Sequence, residues 1–199
     1  MLRYIRELEF QTICDYIKEG SSVLDLGCGD CELLYRLVKT KNVKAQGIEI
    51  DEKKIYRCVE KGVSVLHEDI DYGLSEYRNK SFDYIVLQQS LSEVVKKPDK
   101  VIQEALRVGR KVIISFSNFA HYRARLQIFL KGRTPVTPSL PYSWYNTPNL
   151  HFLSLSDFID YCRERKIKIE KKTYLGTKRK AYFLPNICAL VGIFMISRE

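Results

Sequence analysis

The chain has 199 residues, a mass of 23.3 kDa and a formal charge of +9. With 45% hydrophobic and 29% charged residues, ten glycines and six prolines, its composition excludes a disordered or fibrous protein and suits one domain, 1–199. The charge is uneven: residues 1–104 carry 16 Lys/Arg against 19 Asp/Glu, whereas residues 105–199 carry 17 against 5.

In chain order, residues 3–19 read as a helix, with Ile5, Leu8, Ile13 and Ile17 for an apolar face and Gly20 beyond its end. A short apolar strand at 22–26 is followed by a helix at 32–41, a strand at 44–50 and a helix at 52–61. A third strand falls at 64–67, and the continuous apolar run 82–87 reads as a strand covered on both faces. Then come a helix at 99–108 and a strand at 110–116. Residues 117–153 break this rhythm: they hold four of the six prolines, two of the three histidines and the single tryptophan. Helical spacing within them covers 122–130, and the stretch reads as an insertion within the domain. Ser156 is then expected to cap a helix through Arg165, and strands are expected at 167–175 and 189–197. Strand–helix alternation with short connections predicts a doubly wound, mostly parallel seven-stranded sheet between two helix layers.

The N-terminus is charged from Arg3 onward and shows no signal-peptide core, which places the expected site of action in the cytoplasm. The apolar stretch 184–196 contains Pro185 and Asn186 and is shorter than the ~20 residues of a spanning helix, so no membrane partner is expected. Cys14, Cys28, Cys31, Cys58, Cys162 and Cys188 follow no repeat and are expected to be reduced thiols. Cys28 and Cys31 share a C-x-x-C spacing, but without a second such pair or an H-x₃₋₅-H no metal is expected. A redox dithiol is the sharper reading of that pair, and two small side chains filling a tight loop the plainer one.

The strongest local signal is Val23-Leu-Asp-Leu-Gly-Cys-Gly-Asp-Cys-Glu-Leu-Leu34, a strand running through Gly27-x-Gly29 into a helix. Glycines there permit positive φ and close approach of a ligand to the backbone. The third glycine of a dinucleotide fingerprint is replaced by Glu32, and no triphosphate-binding G-x-x-x-x-G-K-[ST] occurs. Asp25, Asp30 and Glu32 surround the turn, where they would repel a pyrophosphate and attract a sulfonium or ammonium group. These charges favour S-adenosylmethionine over NAD or ATP. Glu49, closing the second strand 22 residues after Gly27, is placed to accept the ribose hydroxyls, and Asp69 the adenine amino group while the Ile70 amide donates to the ring. The expected cofactor set is Asp25, Gly27, Cys28, Gly29, Glu49, Ile50, Asp69 and Ile70, with Leu87 and Gln88 ending the fourth strand.

These residues resemble the class I S-adenosylmethionine-dependent methyltransferase fold, a Rossmann-like three-layer α/β/α architecture. Ser115-Phe-Ser-Asn-Phe-Ala-His-Tyr-Arg-Ala-Arg, Gly132-Arg-Thr-Pro-Val-Thr and Leu140-Pro-Tyr-Ser-Trp-Tyr-Asn-Thr-Pro-Asn-Leu-His, with Ser81-Phe-Asp-Tyr-Ile-Val-Leu, resemble the methionine biosynthesis protein MetW family over about residues 22–169. Cys31, Gln88, Ser117 and Ala120 depart from that family's usual residues. The resemblance implies a methyltransferase-like protein that works with homoserine O-acyltransferase as its partner or activator, and it supplies no catalytic residue.

The insertion carries eight aromatic residues between Phe116 and Phe152. Tyr122, Arg123, Arg125, Arg133, Trp144 and Tyr145 are its candidate substrate or partner contacts. His121 and His151 are candidate general bases, with packing or hydrogen bonding in an irregular loop as the plainer reading. The basic segment 163–180 reads as a solvated helix face and outer strand, and no motif of a nucleic-acid-modifying enzyme accompanies it. Two functions follow as expectations: a cofactor-binding partner of the acyltransferase, or a methyltransferase acting on a small acceptor, anionic if the basic residues of the insertion contact it.

Overall fold

Alternating apolar strands and amphipathic helices build one seven-stranded sheet in the order β3-β2-β1-β4-β5-β7-β6. The computed structural model describes residues 2–72, 74–177 and 179–198; Lys178 of the basic segment lies outside them. The elements are α1 Leu2–Tyr16, β1 Ser22–Leu26, α2 Glu32–Lys41, β2 Lys44–Glu49, α3 Glu52–Glu60, β3 Ser64–His67 and β4 Phe82–Gln88. They continue with α4 Ser90–Glu93, α5 Pro98–Val108, β5 Gly109–Ser117, α6 Tyr122–Lys131, α7 Leu155–Glu164, β6 Ile167–Leu175, α8 Pro185–Cys188 and β7 Val191–Arg198. The first five strands run parallel, and β7 pairs antiparallel with both β5 and β6, so the sheet is mostly parallel and the α/β class holds. Among the described residues no helix is long and apolar enough to cross a membrane.

Each face of the sheet carries its own apolar layer. One face packs α1, α2 and α3 through Ile13, Ile17, Leu34, Leu37 and Cys58. The other packs α5 and α7 through Val101, Leu106 and Phe158, where Phe116, Phe158 and Phe194 meet ring to ring. Gly192 of β7 faces this cluster: a Cβ there would lie 2.3 Å from Leu155 Cδ2 and 3.0 Å from Phe194 Cε2. Gly192→Ala therefore overpacks the layer and is expected to cost about 1–3 kcal/mol, measured as a lower urea midpoint at unchanged slope.

Three local expectations shift. Ser154, not Ser156, caps α7: its side chain accepts from Asp157 N at 3.2 Å, and the Asp157 carboxylate accepts from Ser154 N at 2.8 Å. This reciprocal box satisfies two end amides at once, which Ser156 inside the first turn cannot do. The short α4 and α8 were not legible as periodic segments because each has four residues. The apolar stretch 184–196 divides: Leu184 is exposed, and the buried part begins at Ala189 and forms β7.

Candidate functional site

Strand order reverses between β1 and β4, and the cleft opens over the carboxyl ends of the strands there, where such sheets bind ligands. It measures about 410 Å³ and is lined by the loop after β1 (Gly27 to Asp30), Glu49 of β2, the turn after β4 (Gln88 to Ser90) and Ser117 of β5. A recess of about 140 Å³ adjoins it between Gly27, Glu49, Ile50, Asp69 and Ile70, with Lys96 on its wall.

The glycine loop is held by its neighbours. Gly27 N and Cys28 N both donate to Ile48 O, at 2.9 and 3.1 Å. Gly27 has φ +75, and a Cβ there would stand 3.0 Å from Ser90 Cβ and 3.2 Å from Ile70 Cδ1, so a side chain would close the floor of the cleft. Glu49 is buried, and its Oε2 accepts from Gly29 N at 2.8 Å while its Oε1 accepts from Ile50 N and Asp51 N at 3.0 and 3.1 Å. A carboxylate has about four acceptor positions, so Glu49 clamps the loop with three and keeps one, on Oε2, for a ligand hydroxyl.

Asp25 is buried at the end of β1, and its Oδ1 has no hydrogen-bond partner among the described residues. Burial, reinforced by the nearby Glu49 carboxylate, pushes its pKa up to about 7. Asp25 lines neither the cleft nor the recess, so the expected direct contact with the cofactor is replaced by an electrostatic one: a cation in the cleft favours its charged form from behind the glycine loop.

The other carboxylates of the turn separate. Asp30 lines the cleft, whereas Glu32 pairs with Arg36 at 3.0 Å and Lys61 at 3.3 Å and is thereby satisfied away from it. Asp69 reaches the recess, accepts from Asp71 N at 2.9 Å and pairs with Lys96 at 3.5 Å. Gln88 lines the cleft, while Leu87 is fully enclosed in the core and its side chain has no outlet.

Helix α1 supplies a wall that the sequence reading missed. Ile5, Arg6 and Glu9 line the cleft. Glu9 is buried, accepts from Gln89 Nε2 at 2.9 Å, and its carboxyl is held above the usual range by burial, against the lowering effect of its hydrogen bonds. Ser117 Oγ donates to Gln89 Oε1 at 3.2 Å and extends the chain of polar groups. A signal was available: Ile5, Glu9, Ile13 and Ile17 recur every four residues, so an acid sits on the apolar stripe of the helix.

The insertion contributes less to the cleft than expected. Pro138, Ser139, Pro141 and Tyr142 line it, but Tyr122, Arg123, Arg125, Arg133, Trp144 and Tyr145 do not and are exposed. The charged groups of the wall are Arg6, Glu9, Asp30, Glu49, Lys54 and Glu93, a net acidic set drawn from the acidic half of the chain. The histidines also fall outside the lining. His121 is buried as the cap of α6, its Nδ1 accepting from Arg123 N at 3.3 Å, and burial lowers its pKa to about 4. His151 Nε2 lies 3.0 Å from Val95 O, and with Leu150 N and His151 N donating to Ser92 O it fastens the end of the insertion to α4. Both act as hydrogen-bonding residues of an irregular segment, because the backbone around them needs those partners.

The cysteines depart from expectation. Cys31 is paired with Cys58 of α3 as a disulfide, not with Cys28, and both sulfurs are buried. The sequence reading expected reduced thiols throughout and weighed a dithiol only for Cys28 with Cys31, but α3 lies against the loop and brings Cys58 to Cys31 instead.

A parallel sheet with a glycine turn after β1, an acid closing β2 and a cleft at the switch point defines a class I methyltransferase-like α/β protein. A methyltransferase from Thermotoga maritima described as SAM-dependent superposes with a TM-score of 0.70 at 16% identity, covering 100% of this chain and 91% of that one. Another so described, from Archaeoglobus fulgidus, gives a TM-score of 0.70 at 14% identity, over 97% and 94%. The chain belongs to the methionine biosynthesis protein MetW family, whose model matches residues 7–196. It is 32% identical over 202 aligned residues to the bifunctional methionine biosynthesis protein MetXA/MetW of Rhodopirellula baltica, covering 95% of this chain and 32% of that protein. The chain spans about a third of the length of the curated relatives it matches.

Proposed function

We propose that the protein binds S-adenosylmethionine in this cleft and serves methionine biosynthesis as a partner or activator of homoserine O-acyltransferase. The observation that carries the cofactor reading is buried Glu49, which stands in the wall of both the cleft and the recess and holds the glycine loop through Gly29 N. The Asp25 carboxyl behind it adds to a field that favours a cationic ligand. Glu49 would hold the ribose and Asp69 with Ile70 the adenine in the adjoining recess, while Gly27, Cys28 and Gly29 let the chain approach closely. Bound there, S-adenosylmethionine would supply an electrophilic methyl group.

The partner reading rests on the exposed aromatic and arginine side chains of the insertion. Phe129 is 85% exposed, Trp144 74% and Tyr145 72%, with exposed Arg123, Arg125 and Arg133 in the same segment. Aromatic and arginine side chains are frequent interface anchors. The Rhodopirellula baltica relative supports the partnership, since the matched region forms part of one longer polypeptide named for two methionine biosynthesis proteins. Co-purification with the acyltransferase, and acyl transfer assayed with and without this protein, test it. Replacing Phe129 and Trp144 together by Ser is expected to weaken association at least about tenfold. Absence of association at micromolar concentrations of the unmodified proteins would refute the reading.

Methyl transfer is the second reading, favoured by the buried Glu9 and by Tyr142 in the same cleft. With the insertion's arginines outside the cleft and a net acidic wall, a neutral or cationic acceptor suits it better than an anionic one. Release of S-adenosylhomocysteine in the same mixtures distinguishes it.

A further inference from the structure

Three sulfurs converge behind the glycine loop. Those of Cys28, Cys31 and Cys58 all lie within 4.8 Å of one another. Cys31 and Cys58 are wholly enclosed, whereas Cys28 lines the cleft. Cys31 begins α2 at φ +57 with no side-chain capping bond. A non-glycine residue there costs about 1 kcal/mol, so the position is not chosen for its backbone. What its side chain reaches is Cys58, at a Cα–Cα separation of 5.3 Å that suits a disulfide. Cys28 Sγ stands 3.4 Å from Cys31 Sγ, and Cys58 Sγ 3.2 Å from Gly29 O, which can accept a hydrogen bond from the Cys58 thiol once that sulfur is released and protonated.

We propose that Cys28, Cys31 and Cys58 form a thiol–disulfide exchange site, with Cys28 as the port through which small thiols and disulfides in the cleft reach the enclosed Cys31–Cys58 bond. Burial and the neighbouring Asp25 and Glu49 carboxylates push the Cys28 thiol up, so the internal step runs through its small thiolate fraction. That thiolate turns about the side-chain torsion to come in line with the Cys31–Cys58 bond and attacks Cys31 Sγ. The Cys28–Cys31 bond forms, the Cys31–Cys58 bond breaks, and Cys58 leaves as a thiolate that takes up the proton Cys28 gave up; no electrons are gained or lost. The disulfide then faces the cleft. One sulfur of an external dithiol attacks Cys28 and Cys31 leaves as a thiol. The second sulfur displaces Cys28, so the dithiol becomes a cyclic disulfide and the protein gains two electrons and two protons. Oxidised glutathione drives the reverse sequence and leaves as two glutathione thiols. A structural zinc site is less well matched, because the cluster has three ligands among the described residues and a closed zinc site takes four.

The exchange site ties the loop to α3 when oxidised and frees it when reduced. If the cleft holds the cofactor, the ligand covers Cys28 and slows both directions; this one consequence rests on the function proposed above. The test begins with full-length protein equilibrated with excess oxidised glutathione, then denatured, alkylated and mapped by mass spectrometry. A peptide linking Cys31 to Cys58 is expected. Reduction of the folded protein by dithiothreitol is expected to slow at least about tenfold in Cys28→Ser and to slow similarly with saturating S-adenosylhomocysteine. Free Cys31 and Cys58 after oxidised glutathione, stoichiometric zinc with all three thiols protected, or unchanged reduction of Cys28→Ser would each overturn the proposal. Absence of S-adenosylhomocysteine binding by calorimetry would overturn the cofactor reading instead, while the linked peptide and the slowed variant would still support the exchange site.

Discussion

Glu49→Ala is expected to lower affinity for S-adenosylmethionine by about ten- to a hundredfold in calorimetry. One ribose hydrogen bond to the acceptor position that the loop amides leave open, at about 1.5–3 kcal/mol, accounts for that loss on its own. The same carboxylate also accepts from Gly29 N, Ile50 N and Asp51 N, so its removal leaves three loop amides without their acceptor. A fall of about 1–3 kcal/mol in unfolding free energy should accompany the weaker binding. Glu49→Gln separates the two effects. It keeps one acceptor oxygen but turns an NH₂ toward loop amides or ribose hydroxyls, and a smaller loss than that of Glu49→Ala is expected. Equal affinity in the unmodified protein and Glu49→Ala would remove the ribose assignment.

Asp25→Asn is expected to move stability and binding in opposite directions. The folded pKa of about 7 lies well above the 3.8 of an unperturbed aspartate. The folded state is therefore favoured below the unfolded value, loses that advantage as pH climbs toward 7, and carries the full penalty above it. The variant never carries the charge, so at pH 8 it should exceed the unmodified protein by about 2–4 kcal/mol, and near pH 4 the two should nearly coincide. Glu9, also raised by burial, titrates in both proteins and cancels from the difference. Affinity for the cationic cofactor should rise between pH 5 and 7 in the unmodified protein and stay flat and weaker in the variant. Urea unfolding at several pH values, with calorimetry in buffers of different ionisation enthalpy, reads both effects. An unmodified protein no less stable than the variant at pH 8 would sink the assignment.

The contrast between Glu49 and Glu9 shows what kind of information each link carries. Glu49 was legible because it closes a strand at a fixed distance from a glycine turn, and parallel strands in one sheet bring such ends together. Glu9 contacts Gln89, 80 residues away, and only packing of α1 against the sheet creates that neighbourhood. Arg123, Arg125 and Arg133 show the complementary case: the sequence offered them as substrate or partner contacts without separating the two, and α6 and its following loop turn them to solvent outside the cleft lining.

The uneven charge of the chain has a comparable division. The acidic half builds the switch-point cleft and supplies all of its charged wall, while the basic half contributes uncharged Pro138, Ser139, Pro141 and Tyr142 to it. Sequence by itself determined the strands, their α/β alternation, the glycine loop and the acids at strand ends, because period, turn chemistry and register are local or repeat along the chain. Tertiary structure alone decided that Cys31 meets Cys58, that α1 walls the cleft and that the histidines serve as a cap and a tether. Those are contacts between segments far apart in sequence, set by how apolar faces bury against a common sheet, and no local spacing encodes them.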